Sequence, residues 1–279
     1  MGLARVHHPG RRRRHRRHAC GKPLRRQEKG HSNLVTWSTV DRHTLDLSEQ
    51  GLTTFPGPAR EPAGIREVNA YRNRLTTVPD WLWDLRELRV LILADNELTE
   101  LSPRISRLSH VHTLDLGHNA FTSLPDEIGE LPNLTEYLYL SDNRLTSLPD
   151  SLFGLSGLRY LGATDNALTE LPENIRGLSA LRELRLYHNR LRALPDSIGE
   201  LAALRELHLR GNRISHLPDS IGALSDLRLL DLRDNGLREL PDSLLCLPRL
   251  AKLDLRWNRE LRVPDWLPEL GAGDCVVLR

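Results

Sequence analysis

The sequence has few aromatic residues, few cysteines and no long apolar segment. Aromatic side chains make up 5% of the 279 residues. No apolar run approaches the roughly 18 residues that a membrane-spanning helix needs, so the sequence predicts no transmembrane segment. Cys20, Cys246 and Cys275 are far apart and lack CxxC spacing, which favours neither a disulfide framework nor a zinc knuckle. We therefore expect a reducing compartment, and we predict a cytoplasmic protein.

Sequence motifs typical of enzymes are also missing. There is no phosphate-binding P-loop, no GxGxxG dinucleotide motif, no HExxH or GxSxG motif and no set of kinase motifs. The sequence therefore predicts a protein that is not an enzyme, with no catalytic residue, no cofactor and no metal site.

Charge divides the chain into two regions. Residues 1–30 contain 11 Lys and Arg against one acidic residue, Glu28, whereas the remainder has 28 basic and 36 acidic residues. The block from Arg11 to His18 has no apolar periodicity, and such blocks are normally disordered. We predict a basic, disordered tail over 1–40 and a second domain over 41–279. The tail could bind nucleic acid or another anionic polymer, could be a targeting segment, or could be translated sequence upstream of the true start.

An asparagine recurs along the second region at a fixed spacing, and a single step is longer than the others by one residue. Each asparagine ends the pattern L-x-x-L-x-L-x-x-N, and x-L-x-x-L-P-x-x-I-x-x-L follows it in most units. Self-similarity at a fixed period is typical of repeat architectures. The recurring residues are Asn73, Asn96, Asn119, Asn143, Asn166, Asn189, Asn212, Asn235 and Asn258.

This pattern resembles the leucine-rich repeat family, in the 23-residue LPxxI form of the intracellular Ras-suppressor-like and plant Ras-group-related repeats. The resemblance covers about residues 43–279. It implies an α/β leucine-rich-repeat solenoid, a curved horseshoe with a parallel β-sheet on the concave face and short helical or 3-10 turns on the convex face. It also implies a scaffold or adaptor. About ten repeats are expected, followed by a truncated terminal strand.

The physical reasons agree with this architecture. The L-x-L alternation predicts a short strand, and a strand that recurs once in every unit stacks in parallel on its neighbour. The asparagine amide is expected to satisfy backbone groups where the chain leaves the strand. The proline suits the first position of a helical turn, and the acidic residue after it is favourable near that turn's N-terminus.

Three departures from the pattern carry predictions. The unit ending at Asn143 has one extra residue within Leu134–Leu138, where we expect a local bulge. Val276 and Leu278 lie one repeat length after Leu253 and Leu255 and predict an eleventh strand in the same register. Cys246, within an apolar run, is expected to pack on the convex side as a small hydrophobe.

The non-leucine positions of the strands predict a binding surface on the concave face. All five tyrosines map there, and tyrosine is enriched in recognition surfaces. Arginine stands two residues before the asparagine in three successive units. Asp231 and Asp254 could pair with these arginines, in which case the column is structural. Otherwise it serves an acidic or phosphorylated partner. The predicted partner-binding residues are Tyr137, Tyr139, Tyr160, Arg185, Tyr187, His188, His208, Arg210, Arg233, Arg256 and Trp257.

The sequence thus predicts a non-catalytic scaffold or adaptor that binds a protein on the concave face. His188 and His208 are expected to be solvated or partner-contacting imidazoles rather than metal ligands. The net charge of −8 over residues 31–279 disfavours nucleic-acid binding by the repeats, although the tail retains that alternative. An accessory or effector subunit of an enzyme complex is the other alternative.

Overall fold

The computed structural model describes residues 43–57 and 64–279. The predictions for the basic tail, residues 1–40, fall outside the described residues. So does part of the first repeat unit, residues 58–63.

The described residues form an open parallel sheet in which eleven strands follow one another in chain order. This agrees with the predicted solenoid fold. Each strand has three residues, and its middle residue points into the interior. The strands are Thr44–Asp46 (β1), Glu67–Asn69 (β2), Val90–Ile92 (β3), Thr113–Asp115 (β4), Tyr137–Tyr139 (β5), Tyr160–Gly162 (β6), Glu183–Arg185 (β7), Glu206–His208 (β8), Leu229–Asp231 (β9), Lys252–Asp254 (β10) and Val276–Leu278 (β11).

The interior consists of leucines stacked in columns, because equivalent residues of successive units are register partners. Leu184 of β7 pairs with Leu161 on one side and Leu207 on the other, and all three are buried. Residues on either side of a central leucine point to the opposite face of the sheet, since side chains alternate along a strand. The sheet therefore buries one face and presents the other to the outside.

Five-residue 3-10 helices line the other side of the described repeats. The expected position of the proline within these turns was wrong by one residue. Pro195, for example, is the extended N-cap residue, and its carbonyl oxygen accepts the N–H of Ile198 at 3.1 Å, while Asp196 begins the helix. The 3-10 helices are Asp80–Asp84, Pro103–Arg107, Asp126–Glu130, Asp150–Gly154, Glu173–Gly177, Asp196–Glu200, Asp219–Ala223 and Asp242–Cys246.

The 3-10 helices pack closely on one another through glycine. A Cβ atom added to Gly199 would lie 2.3 Å from the carbonyl oxygen of Ser220, so no larger residue fits there without movement of the backbone. The prediction for Cys246 was wrong. Its side chain is exposed, because it ends the 3-10 helix while Leu244 occupies the inward position.

The asparagines perform the predicted structural role. Nδ2 of Asn189 donates to the carbonyl oxygens of Leu186 at 3.2 Å and of Ala163, in the preceding unit, at 2.8 Å. Its Oδ1 accepts the N–H of Leu168 at 3.0 Å. The same kind of pattern recurs from Asn73 to Asn258, so the amides tie each unit to the one before it.

The extra residue in the unit of β5 is absorbed just before the strand. In most other units two successive N–H groups bond to one carbonyl oxygen, as Arg182 and Glu183 do with Arg159. Here Arg159 and Tyr160 bond separately to the carbonyl oxygens of Thr135 and Glu136. The expected bulge therefore lies at residues 135–136, and β5 keeps regular pairing with both neighbours.

The eleventh strand is present, but its predicted register was wrong by one residue. Leu253 pairs with Val277, and Lys252 pairs with Val276. The segment before β11 is a six-residue α-helix, Leu267–Ala272 (α1), in place of the five-residue 3-10 helix of the other units. Because side chains alternate along the strand, this shift leaves Val276 57% exposed.

Candidate functional site

The predicted binding residues lie on the outward face of the sheet, here called the concave face. It comprises the first and third residues of each strand and the residue two positions after the strand, and His188 and Trp257 come one residue later in the chain. Tyr71, Tyr137, Tyr139, Tyr160 and Tyr187 all lie on this face and are half-buried. Apart from His188, the structure divides the predicted residues into a tyrosine cluster, a group around His208 and an arginine cluster.

Tyr137, Tyr139 and Tyr160 form the tyrosine cluster on β5 and β6. The rings of Tyr137 and Tyr139 are stacked with centroids 5.7 Å apart, and the centroids of Tyr139 and Tyr160 are 4.8 Å apart. The guanidinium of Arg185, on β7, lies 5.7 Å from the centroid of the Tyr160 ring. Burial raises the pKa of Tyr139 to about 12, and the Asp115 carboxylate adds to this effect. The cluster is therefore a neutral aromatic surface bounded on one side by a cation.

Gly162 is the feature that allows this cluster to form. It is the register partner of Tyr139, and a Cβ atom at this position would lie 2.9 Å from the Tyr160 hydroxyl oxygen. Without a side chain at residue 162, the Tyr160 ring can lie across the sheet against Tyr139. Sequence reasoning missed this glycine, although it occupies a concave position at which the other units carry a side chain.

Tyr187 follows β7, the strand next to β6, and contacts His208. The Tyr187 hydroxyl shares a short hydrogen bond with Nδ1 of His208, and the two rings meet edge to face with centroids 5.2 Å apart. Burial raises the pKa of Tyr187 to about 12, with a further contribution from the Asp231 carboxylate. Tyr187 is thus a partner of a buried side chain as well as a surface residue.

The expectation of a solvated imidazole was wrong for His208. The residue is 6% exposed, and the Tyr187 ring packs edge to face against its ring. Its Nε2 lies 3.0 Å from Oε2 of Glu206 and 3.9 Å from Oε1 of Glu183. Burial lowers the pKa of His208 below its ordinary value, although the hydrogen bond with Glu206 opposes the shift. The uncharged imidazole is therefore the favoured form.

His188 belongs to none of these three groups. It is exposed, and its Nδ1 lies 2.9 Å from Oδ1 of Asp165 in the preceding unit. Both residues have positive φ, 50° for His188 and 52° for Asp165, as does the residue before the asparagine in most units. His188 therefore pairs with the equivalent position of the neighbouring unit, just after the strand.

The column of arginines is partly structural. Arg233 bonds to Asp231 through both Nε and Nη2, at 2.8 and 2.5 Å, and its Nε lies 3.5 Å from Asp254. Arg256 bonds in the same two-pronged way to Asp254, at 2.9 and 2.7 Å. Both carboxylates are buried, and each needs a cation because an unpaired buried charge is strongly unfavourable. For these two arginines the alternative of pairing with aspartate is confirmed.

Arg210 differs from the other two arginines. Within the described residues no carboxylate lies in ion-pair distance of its guanidinium, and its buried Nε has no hydrogen-bond partner. Its guanidinium carbon lies instead 5.1 Å from the centroid of the Trp257 ring. Arg233 and Arg256 approach the same ring, at 6.0 and 5.6 Å. Arg210, Arg233, Arg256 and Trp257 together are called the arginine cluster below.

Trp257 occupies an unusual backbone position for a large side chain. Its φ is 68°, in the left-handed region where bulky residues are rare, and its side chain is 55% exposed. Strained backbone and exposed aromatic surface both carry a cost, and they coincide here with three cations around one ring. The structure thus holds a large aromatic ring outward, with guanidinium groups against it.

Comparison with known proteins establishes the family. A model described as "Leucine rich repeat" matches residues 86–136, 109–168, 135–191 and 165–214, and one described as "Leucine-rich repeat region" matches residues 196–272. The chain is a leucine-rich repeat protein. The models leave the particular subgroup of repeats open.

Relatives and solved structures show the same architecture. The chain is 36% identical to fibromodulin of Sus scrofa over 108 residues, which are 38% of this chain and 70% of that protein. A leucine-rich repeat protein of Leptospira interrogans has a TM-score of 0.76 and 31% identity, covering 85% of this chain and 65% of that one. The plant peptide hormone receptor RGFR1 in complex with RGF2 has a TM-score of 0.64 and 29% identity, covering 70% of this leucine-rich repeat chain and 32% of the receptor chain.

The repeat protein thus spans less than two thirds of either of these solved chains. Leucine-rich repeat domains are generally protein-interaction scaffolds, and RGFR1 is a plant peptide hormone receptor whose structure was solved in complex with RGF2. Among the residues that the structure describes, no helix is both long and apolar enough to cross a bilayer.

Proposed function

We propose that this leucine-rich repeat protein is a non-catalytic scaffold or adaptor that binds an acidic or phosphorylated protein on its concave face. The surface runs from Tyr137 on β5 to Trp257 after β10. The LPxxI spacing supports a place among the intracellular Ras-suppressor-like repeats, for which a scaffold is the implied role. The free thiols of Cys246 and Cys275 are consistent with the cytoplasmic location that belongs to this proposal.

The observation that carries the proposal is the arginine cluster. Arg233 and Arg256 form ion pairs with Asp231 and Asp254, whereas Arg210 forms an ion pair with no carboxylate of the described residues. A guanidinium binds a carboxylate or phosphate through paired hydrogen bonds, and arginine and tryptophan are enriched among residues that dominate binding energies. An anionic group of a partner would give Arg210 the counter-charge that the repeats do not supply.

The tyrosine cluster supplies the apolar part of the same surface. Its rings lie against one another and against Arg185, so little side-chain freedom is lost when a partner binds. The strands on which the clusters lie are hydrogen-bonded to one another, which fixes the distance between the two clusters. The mechanism is therefore rigid presentation of aromatic and cationic anchors.

The test compares three full-length baits in a pull-down from lysate, read by mass spectrometry. They are the wild type, the double variant Arg210→Glu with Trp257→Asn, and the control Arg176→Glu, an exposed residue of a 3-10 helix on the opposite side. Tyr187→Ala is avoided, because it would leave Nδ1 of the buried His208 without its partner. Proteins captured by the basic tail are recovered equally by all three baits.

The proposal expects a protein that the wild type and the Arg176→Glu control retain and the double variant loses. Treating the lysate with phosphatase separates a phosphorylated partner, which would be lost, from an acidic one, which would remain. The concave-face proposal fails if the double variant retains every protein that the wild type retains.

A further inference from the structure

Three potential metal ligands meet on β7 and β8, between the tyrosine and arginine clusters. Glu183 and Glu206 are register partners on the two strands, and His208 follows Glu206 by two residues on the same face. One ligand atom of each residue lies within 4.8 Å of the others. The Nε2 atom of His208 is 3.0 Å from Glu206 Oε2 and 3.9 Å from Glu183 Oε1.

These distances suit a small ion with short bonds. Ligand atoms at about 2.0–2.1 Å from a tetrahedral Zn²⁺ lie roughly 3.4 Å from one another. The two distances from Nε2 bracket that value, and all three ligand atoms lie within 4.8 Å of one another, so movements of the two glutamate side chains would place both carboxylate oxygens and the imidazole nitrogen around one ion. Glu183 and Glu206 are half-buried and can make such shifts without disturbing the leucine interior.

His208 is already held as a metal ligand requires. It is buried, and its Nδ1 is bonded to the Tyr187 hydroxyl, so its Nε2 faces the two carboxylates. Metal-bound histidines commonly use the second ring nitrogen in such a hydrogen bond, which fixes the ring and its tautomer. In the metal-free protein the ring proton on Nε2 faces the Glu206 carboxylate, so Nδ1 accepts from the Tyr187 hydroxyl. With an ion on Nε2 the ring proton would be on Nδ1 and would donate to the Tyr187 oxygen.

We propose that Glu183, Glu206 and His208 bind a divalent transition-metal ion, with Zn²⁺ the best match. Imidazole with carboxylates suits zinc and its neighbours, whereas Ca²⁺ and Mg²⁺ prefer oxygen ligands alone. Three protein ligands leave a fourth position open on the concave face, where water or a side chain from outside could bind. Metal binding by the isolated protein does not depend on the proposed partner.

Arg185 limits the affinity of this site. Its Nε bonds to Oε1 of Glu183, one of the ligand oxygens, and its positive charge opposes a nearby cation. Replacing it therefore has an effect opposite to that of replacing a ligand. The Arg185→Gln variant should therefore bind the ion more tightly than the wild type. If Arg185 had only a structural role, replacing it would not increase the affinity for the metal.

The test is calorimetric titration of the full-length protein with Zn²⁺ alone, together with thermal unfolding at each metal concentration. Residues 1–20 contain other possible ligands, namely His7, His8, His15, His18 and Cys20. Each variant is therefore compared with the wild type, which has the same tail. Glu206→Gln and His208→Asn remove ligands, and His188→Asn removes the histidine of the nearby His188–Asp165 pair as the matched control.

The wild type and the His188→Asn control should bind one more equivalent than either ligand variant, and that equivalent should raise their unfolding temperature. Tyr187→Phe should lower the affinity for that ion by about tenfold, because it removes the hydroxyl group that is bonded to Nδ1 of the metal-binding His208. Glu206→Gln removes no buried group, so it serves if His208→Asn fails to fold. Equal stoichiometry in the wild type and Glu206→Gln, with equal shifts in unfolding temperature, would overturn the proposal.

Discussion

The asparagines from Asn73 to Asn258, here called the asparagine ladder, follow the same strands that form the concave face, but the two sets differ in how much their residues vary from unit to unit. At the ladder position every unit from Asn73 to Asn258 uses one residue, because each amide meets the same three kinds of backbone group. On the concave face the side-chain contacts differ from unit to unit, and the residues there include tyrosine, glycine, glutamate and arginine. The uniform interior supports the fold, and the variable face carries what is specific to this protein.

The largest expected effect tests the ladder. Asn189→Ala removes the donor to Ala163 and Leu186 and the acceptor for the N–H of Leu168, all in the interior. We expect a loss of about 1–3 kcal/mol in the free energy of unfolding, because buried backbone groups lose their partners. Urea denaturation measures the loss. Asn174→Ala, an exposed asparagine of a 3-10 helix, is the control and should change stability by less than about 0.5 kcal/mol.

A second prediction tests how closely the 3-10 helices pack on the outer side of the repeats. Gly199→Ala would place a Cβ atom 2.3 Å from the Ser220 carbonyl oxygen, so the units must separate locally. We expect a loss of about 1–2 kcal/mol, as is usual for overpacking. Gly154 is the matched control, since nothing lies within 4 Å of a Cβ atom there. Equal unfolding midpoints for Gly199→Ala and Gly154→Ala would contradict the close packing.

A third prediction concerns the tyrosines, whose hydroxyl groups are partly buried on the concave face. The pKa values of Tyr139 and Tyr187 are raised to about 12, whereas unfolded tyrosine ionises near pH 10. Between these values the unfolded chain releases protons that the folded protein keeps, so stability falls as pH rises from about 10 to 12. Tyr139→Phe should reduce that fall, measured by denaturation across this range. An unchanged pH dependence would show that Tyr139 titrates normally.

The smallest expected effect on stability is at the arginine cluster. Trp257→Asn places at a φ of 68° a residue that tolerates the left-handed region. The free energy of unfolding should change by no more than about 0.5 kcal/mol, while capture of the proposed partner is lost. A large destabilisation would mean that Trp257 supports the fold rather than binding.

The interior could be predicted from sequence because it repeats. Leucine, asparagine and proline at fixed intervals specify the strands, the ladder and the turns, and ten units agree with one another. One error recurs in the regular units, because the proline is the N-cap residue and not the first residue of the 3-10 helix. The other errors arose at single positions: the register of β11 shifted when α1 replaced a 3-10 helix, and Cys246 proved exposed. A feature that occurs in one unit has no equivalent in the other units, so the repeat pattern gives no second observation against which to check its prediction.

The candidate site was predicted only as a set of surface positions. The tyrosine and arginine columns were placed on the correct face, but side-chain contacts across strands decide which residues act together. The burial of His208 depends on Tyr187 of the preceding unit, and the tyrosine cluster depends on the missing side chain of Gly162. The sequence contains one weak indication that the two glutamates near His208 lie side by side, since Glu183 and Glu206 occupy equivalent positions of successive units.

The in-register pairing of the strands makes the concave face a grid in which rows can be exchanged. Residues 190–212 make up one period, from the residue after Asn189 to Asn212. Deleting them would join two equivalent points of the backbone and place β7 directly beside β9. The leucine columns and the ladder would close over the gap unchanged, while Arg185 would become the neighbour of Asp231 and the row of Glu206, His208 and Arg210 would be lost. Recombination between units can therefore change the side chains that the concave face presents without a single change in the interior.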